Sequence, residues 1–123
     1  MDCPFCTFEG IDPARRLGEN DLAVAFLDGF PVSPGHALVV PRRHVGSWFD
    51  ATAEERAAIL ALVDIVHAEL DERFHPAGYN LGINVGAAAG QTVPHLHLHV
   101  LPRYPGDVDD PTGGVRLVIT HRG

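Results

Sequence analysis

The stretch Gly90-Gln91-Thr92-Val93-Pro94-His95-Leu96-His97-Leu98-His99-Val100-Leu101-Pro102-Arg103 sets histidine at every second position and aliphatic residues between. Side chains on a strand alternate between its two faces. The pattern therefore predicts a strand with His95, His97 and His99 on one face and Leu96, Leu98 and Val100 on the other. The aliphatic face belongs to a core. The other carries imidazoles about 6 to 7 Å apart, able to supply a nucleophile, a phosphate contact or a metal ligand. A solvated strand face is the plain alternative, and His-x-His pairs also converge on catalytic zinc, so spacing alone leaves the chemistry open.

A chain of 123 residues is most simply one domain, 1–123. Its formal charge of -7 argues against broad, charge-driven binding to nucleic acid, while leaving room for a local phosphate pocket. All nine basic residues are arginine, which removes Schiff-base lysine chemistry. No run has the length of a membrane span, and Met1-Asp2-Cys3-Pro4 lacks the basic and apolar regions of a signal peptide, so a cytoplasmic location with no membrane partner is expected. Both cysteines lie in Cys3-Pro4-Phe5-Cys6, where a reducing compartment favours zinc or redox chemistry over a structural disulfide.

Along the chain, Ala14 to Asn20 and Asp21 to Leu27 read as short extended segments turning near Glu19-Asn20-Asp21. Asp28 to Gly35 is loop chemistry, and His36 to Pro41 is an apolar strand headed by histidine. Thr52 with Glu55 forms a capping box, and Ile59, Leu62, Val63, Val66, Leu70 and Phe74 recur at helical spacing, predicting a helix from Ala53 to Phe74. Leu60 and Ile65 fall off that stripe and suit a surface covered by a second subunit, or are scattered exposed aliphatics. Tyr79 to Val85 reads as a strand, Gly86 to Gly90 as a small-residue loop, and about 104–123 as an irregular tail. Beside the histidines, Thr92 offers a hydroxyl, and the loop ending at Gly90 and Gln91 offers backbone amides for an anion. His36 and His99 are the candidate donors to phosphoryl oxygens. His67, His75 and His121 are read as structural or solvated.

His95-Leu96-His97-Leu98-His99-Val100-Leu101, with Pro34-Gly35-His36, Asn84 and Gly90-Gln91-Thr92, resembles the signature of the histidine triad (HIT) family over nearly the whole chain. The resemblance implies an α+β, HIT-like fold: a five-stranded antiparallel sheet, one long helix, a short N-terminal helix and a two-fold homodimer. It implies that His97 attacks the α-phosphorus of a nucleoside phosphate and carries a covalent nucleotidyl group, with His99, His36 and Thr92 assisting. Asn84 then meets the ribose or bridging oxygen, and Asp28, otherwise an ordinary turn aspartate, accepts from the ribose hydroxyls. A branch of the family completes a structural zinc site from Cys3, Cys6, the histidine ending Pro41-Arg42-Arg43-His44, and His95. Magnesium would accompany a polyphosphate substrate. Gln91-Thr92, Pro102-Arg103 and Pro111 to Arg116 resemble the fragile-histidine-triad-like dinucleoside polyphosphate hydrolases more than the nucleoside phosphoramidases; Thr120 and His121 stand where that pattern has proline. A phosphoramidase, a phosphorylase, a nucleotide sensor without turnover and a metal-dependent hydrolase are the other readings.

Overall fold

A computed structural model describes residues 3–6 and 10–119. A 3-10 turn, Pro13–Arg15, leads into strand β1 (Arg16–Glu19), followed by β2 (Ala23–Leu27), β3 (Ala37–Pro41), helix α1 (Ala53–Phe74), β4 (Gly78–Ile83) and β5 (Leu98–Arg103). The strands form one sheet in the order β1-β2-β3-β5-β4, each antiparallel to its neighbours. The expected short N-terminal helix is, among the described residues, the single 3-10 turn capped by the Asp12 side chain.

Helix α1 starts where its sequence signals it. The Thr52 hydroxyl accepts from the Glu55 amide at 3.1 Å, and the Glu55 carboxylate accepts from the Thr52 amide at 2.9 Å. Arg43 meets the same carboxylate with two hydrogen bonds, of 3.0 and 2.8 Å, and holds Glu55 at a pKa of about 2. The helix ends at His75, in the left-handed conformation (φ 51°), ahead of Pro76. Ile59, Leu62, Val66 and Leu70 are buried against one face of the sheet, each worth about 1.5–3 kcal/mol of apolar burial. Leu60 and Ile65 remain 52% and 51% exposed, off the stripe as expected. No helix of the described residues is long and apolar enough to cross a membrane.

The opposite face carries a smaller cluster of Ile11, Val24, Phe26, Leu38 and Val40, with Phe5 packed against it. Antiparallel register aligns His99 with Leu38, Leu38 with Phe26, and Phe26 with Arg16, so these residues form one row across the sheet. Gly35 adopts φ +87°, and a Cβ there would lie 3.0 Å from the Phe74 ring and 3.2 Å from Pro102. Glycine thus lets the loop before β3 close on the end of α1 and deliver His36 to the sheet.

Two strand limits differ from expectation. β5 begins at Leu98 rather than at the first histidine, because Leu96 donates its amide to Val45 at 2.7 Å, outside the sheet ladder. Leu96 is nevertheless buried in the same cluster as Leu98 and Val100. β4 correspondingly stops at Ile83, the partner of Leu98, which leaves Asn84 and Val85 in the loop. The tail is largely irregular but contains a 3-10 stretch, Gly114–Val118; Thr120 and His121 lie outside the described residues.

Candidate functional site

A cleft of about 710 Å³ lies over the smaller cluster. His97, His99, Thr92 and Asp28 line it, together with Phe5, Phe26, Phe30, Leu38 and Arg15. His97 and His99 are the middle and last histidines of the run, their ring centroids 4.9 Å apart. That is closer than strand spacing suggests, because His97 precedes the paired part of β5.

Each ring has its protons placed by its neighbours. His97 Nδ1 lies 2.8 Å from the backbone oxygen of His95, an acceptor only, so Nδ1 carries the proton and Nε2 keeps a lone pair. Val32 donates its amide to His36 Nδ1 at 3.2 Å, which leaves the proton of the neutral His36 ring on Nε2. His36 Nε2 donates to His99 Nδ1 at 3.0 Å, and the proton of His99 therefore sits on Nε2. Burial lowers the pKa of His36 and brings that of His99 down to about 4, so both are neutral at pH 7. The cleft thus holds a nitrogen lone pair on His97 beside an N–H donor on His99.

Asp28 Oδ1 accepts from the Phe30 amide at 3.0 Å, and Oδ2 lies 3.4 Å from His36 Nε2. Ligand atoms of Asp28, His36 and His99 fall within 4.8 Å of one another, as in a metal site. The Val32 amide decides against that reading, since it occupies the one lone pair of neutral His36 and makes its Nε2 a donor. The Val32 amide, His36 and His99 form a hydrogen-bond relay, with Asp28 beside it.

The first histidine goes elsewhere. His95 Nδ1 lies 3.3 Å from Cys3 Sγ and 3.5 Å from Cys6 Sγ, and Cys6 Sγ lies 3.0 Å from His44 Nδ1. The four donor atoms are all within 4.8 Å of one another. Tetrahedral metal bonds of about 2.0–2.3 Å place ligands roughly 3.3 to 3.8 Å apart; both contacts of His95 fall in that range, while Cys6 and His44, at 3.0 Å, are drawn closer than a bound metal would hold them, so the donor set suits a divalent metal of that preference with one pair opening slightly to take it. His95 Nε2 donates to the Pro41 carbonyl at 2.8 Å, which turns the Nδ1 lone pair to the thiols. A metal held there would have its four positions filled by protein and would supply structure.

Asn84, Gly90 and Gln91 do not line this cleft. The Gly90 and Gln91 amides donate to Ala87 and Gly86, and the Gln91 side chain bridges the Gly86 amide to the Gly46 and Val93 carbonyls. These bonds fix the loop that delivers Thr92. Phe5, Phe26, Phe30, Leu38 and Arg15 are the residues sequence reasoning missed. β2 and β3 are apolar at every position, which signals cover on both faces, and that was the available clue to Phe26 and Leu38.

Comparison with known proteins agrees with this geometry. A family model described as the HIT domain matches residues 9–106. A 16.1 kDa HIT-like protein of Mycoplasma pneumoniae is 42% identical over 84% of this chain and 72% of its own length. The adenosine 5'-monophosphoramidase hnt1 of Schizosaccharomyces pombe is 38% identical over 84% of this chain and 75% of its own. The asymmetrical bis(5'-nucleosyl)-tetraphosphatase of the same yeast is 38% identical over 72% of this chain and 49% of its own. The crystal structure of a HIT family protein from Bacillus anthracis superposes with a TM-score of 0.78 at 37% identity, over 86% of this chain and 76% of that one. With the sheet order, the oriented histidine pair and these matches in agreement, the chain belongs to the HIT domain family and is an enzyme of that family.

Proposed function

We propose that the protein hydrolyses dinucleoside polyphosphates, such as diadenosine tetraphosphate, at the α-phosphorus through a nucleotide bound to His97. The orientation of His97 carries this reading: its Nδ1–H donates to the His95 carbonyl, which leaves the Nε2 lone pair as the nucleophile in the cleft. Nε2 forms a bond to phosphorus as the bridging P–O bond breaks, and the electron pair leaves on the departing nucleoside polyphosphate. The positive charge that develops on the imidazole is shared through Nδ1–H with the His95 carbonyl. His99 Nε2–H and the Thr92 hydroxyl donate to the phosphoryl oxygens. Water then attacks phosphorus, the P–N bond breaks, and a nucleoside monophosphate leaves.

Polyphosphate rather than phosphoramidate is favoured by the resemblance of Gln91-Thr92, Pro102-Arg103 and the Pro111 to Arg116 segment to the dinucleoside polyphosphate hydrolases. The phosphoramidase reading rests on the S. pombe monophosphoramidase, and comparing turnover of adenosine phosphoramidate with that of diadenosine tetraphosphate separates the two. Magnesium accompanies the tetraphosphate in this reading. Asp28, with Oδ2 beside His36, is assigned to the ribose hydroxyls, Asn84 to the ribose or bridging oxygen, and Gly90 and Gln91 to the approach of the polyphosphate.

The metal of the Cys3, Cys6, His44 and His95 set is assigned as structural zinc, supported by its N2S2 donors. A homodimer built on α1 and the edge strand β4 is supported by half-exposed Leu60, Ile65 and Leu81. The mechanism is tested by acid-quenching a reaction and digesting the protein. A mass increase of one nucleoside monophosphate on the His97 peptide is expected, and attachment to any other residue would reassign the nucleophile.

A further inference from the structure

The far end of the cleft carries a cation that the chemistry above does not use. The row His99, Leu38, Phe26 runs from β5 to β2, two inter-strand spacings or about 10 Å. A nucleotide with its α-phosphate at the histidines therefore lays its base toward the apolar wall where Phe5, Phe26 and Leu38 pack together, the Phe5 ring centroid 5.1 Å from that of His97 and 5.9 Å from that of Phe26. Beyond that base stands Arg15, delivered by the 3-10 turn just before β1. Its Nε donates to the Leu27 carbonyl at 3.0 Å, and its guanidinium lies against Gly29, where an added Cβ would sit 3.3 Å from Nη2. Among the described residues Arg15 forms no ion pair. The backbone tether immobilises the side chain and leaves both Nη groups as donors without an acidic partner.

We infer that Arg15 is a base-specificity residue and that the cleft prefers nucleotides of 6-oxopurines, guanine above all, over those of adenine. This rests on the nucleotide-binding reading of the cleft. The Hoogsteen edge of guanine offers two acceptors, O6 and N7, which match the paired donors of a guanidinium. Adenine offers N7 beside the N6 amino donor, which opposes a second guanidinium N–H. Gly29 gives the guanidinium room to lie flat, since any larger residue there would crowd it.

The test compares kcat/KM for diguanosine, diinosine, di-7-deazaguanosine and diadenosine tetraphosphates, with calorimetric affinities for GMP, IMP and AMP. Guanosine and inosine substrates should exceed adenosine by roughly tenfold to a hundredfold, and loss of N7 in the 7-deaza substrate should remove most of that gain. Arg15→Lys keeps the charge without the fork and should close the gap. Arg15→Gln, whose amide pairs with adenine N6 and N7, should close it or reverse its sign. Thermal melts identify a variant that fails to fold, in which case the other variant and the wild-type base series decide. Equal kcat/KM for the guanosine and adenosine substrates, or a preference that survives both substitutions, overturns the inference. If no substrate turns over but GMP binds more tightly than AMP, the hydrolase proposal falls and this inference stands.

Discussion

His95 and His99 are the two ends of one histidine run, on the same side of one extended segment, yet their surroundings give them opposite tasks. His95 donates through Nε2 to a carbonyl and offers Nδ1 to two thiols at 3.3 and 3.5 Å. His99 accepts at Nδ1 from another imidazole and keeps Nε2–H as its donor. One ring presents a lone pair to the thiols and the other an N–H to the cleft, because the first neighbour on each ring is an acceptor in one case and a donor in the other. Imidazole has two nitrogens and one proton when neutral, so fixing either nitrogen decides the other.

The strongest way to break this division is to delete its members in turn. His97→Ala should lower kcat by at least about three orders of magnitude with an unchanged melt, since a covalent nucleophile has no substitute. His95→Ala should do the reverse, lowering stability far more than turnover per folded molecule. Rates normalised to folded protein that fall equally in both variants would show that the two ends are not separate. Next in size is removal of metal. Purified protein should carry about one zinc per chain, and chelation or Cys3→Ser should lower Tm by about 10 °C or more. Metal analysis combined with calorimetry checks both, and zinc-free protein with an unchanged melt would dissolve the contrast from the His95 side.

The smallest effect sharpens the His99 side. Its pKa is lowered from 6.5 to about 4, chiefly by burial, with the neighbouring His97 and His36 rings adding to the shift. A histidine whose folded pKa is depressed favours the folded state most above its unfolded pKa. That contribution is lost as pH falls from about 6.5 toward 4, because the unfolded chain binds the proton first. Tm should therefore fall by a few °C across that window, and His99→Gln should flatten the slope. Glu55 is depressed to about 2 by Arg43, so its contribution is lost only as pH falls from 4.5 through that value.

What could be read in advance follows from what period can encode. Alternation gave the two faces of the histidine segment, and helical spacing with the Thr52–Glu55 box gave both ends of α1. The boundary of β5 was not legible, because it depends on Leu96 bonding to Val45, a partner chosen by the fold. Arg15 was illegible for a similar reason. Nothing local marks it, and its position follows from the β1–β2 pairing that brings it beside Leu27 and Gly29. Gln91 could be singled out as a site residue, whereas its three bracing bonds depend on where Gly46 and Val93 come to rest.

The Val32 amide lies in a loop, on the side of His36 away from His99, yet it settles which face of the His99 ring the cleft meets, donor or acceptor. The three groups in line, amide, His36 and His99, have one direction of donation, and reversing any one of them reverses all that follow. Turned the other way, His99 would present a lone pair to an anion instead of a proton. Whether His99 offers the cleft a proton or a lone pair is thus held by the backbone conformation of a surface loop, and a change in that loop would reverse it without moving either imidazole.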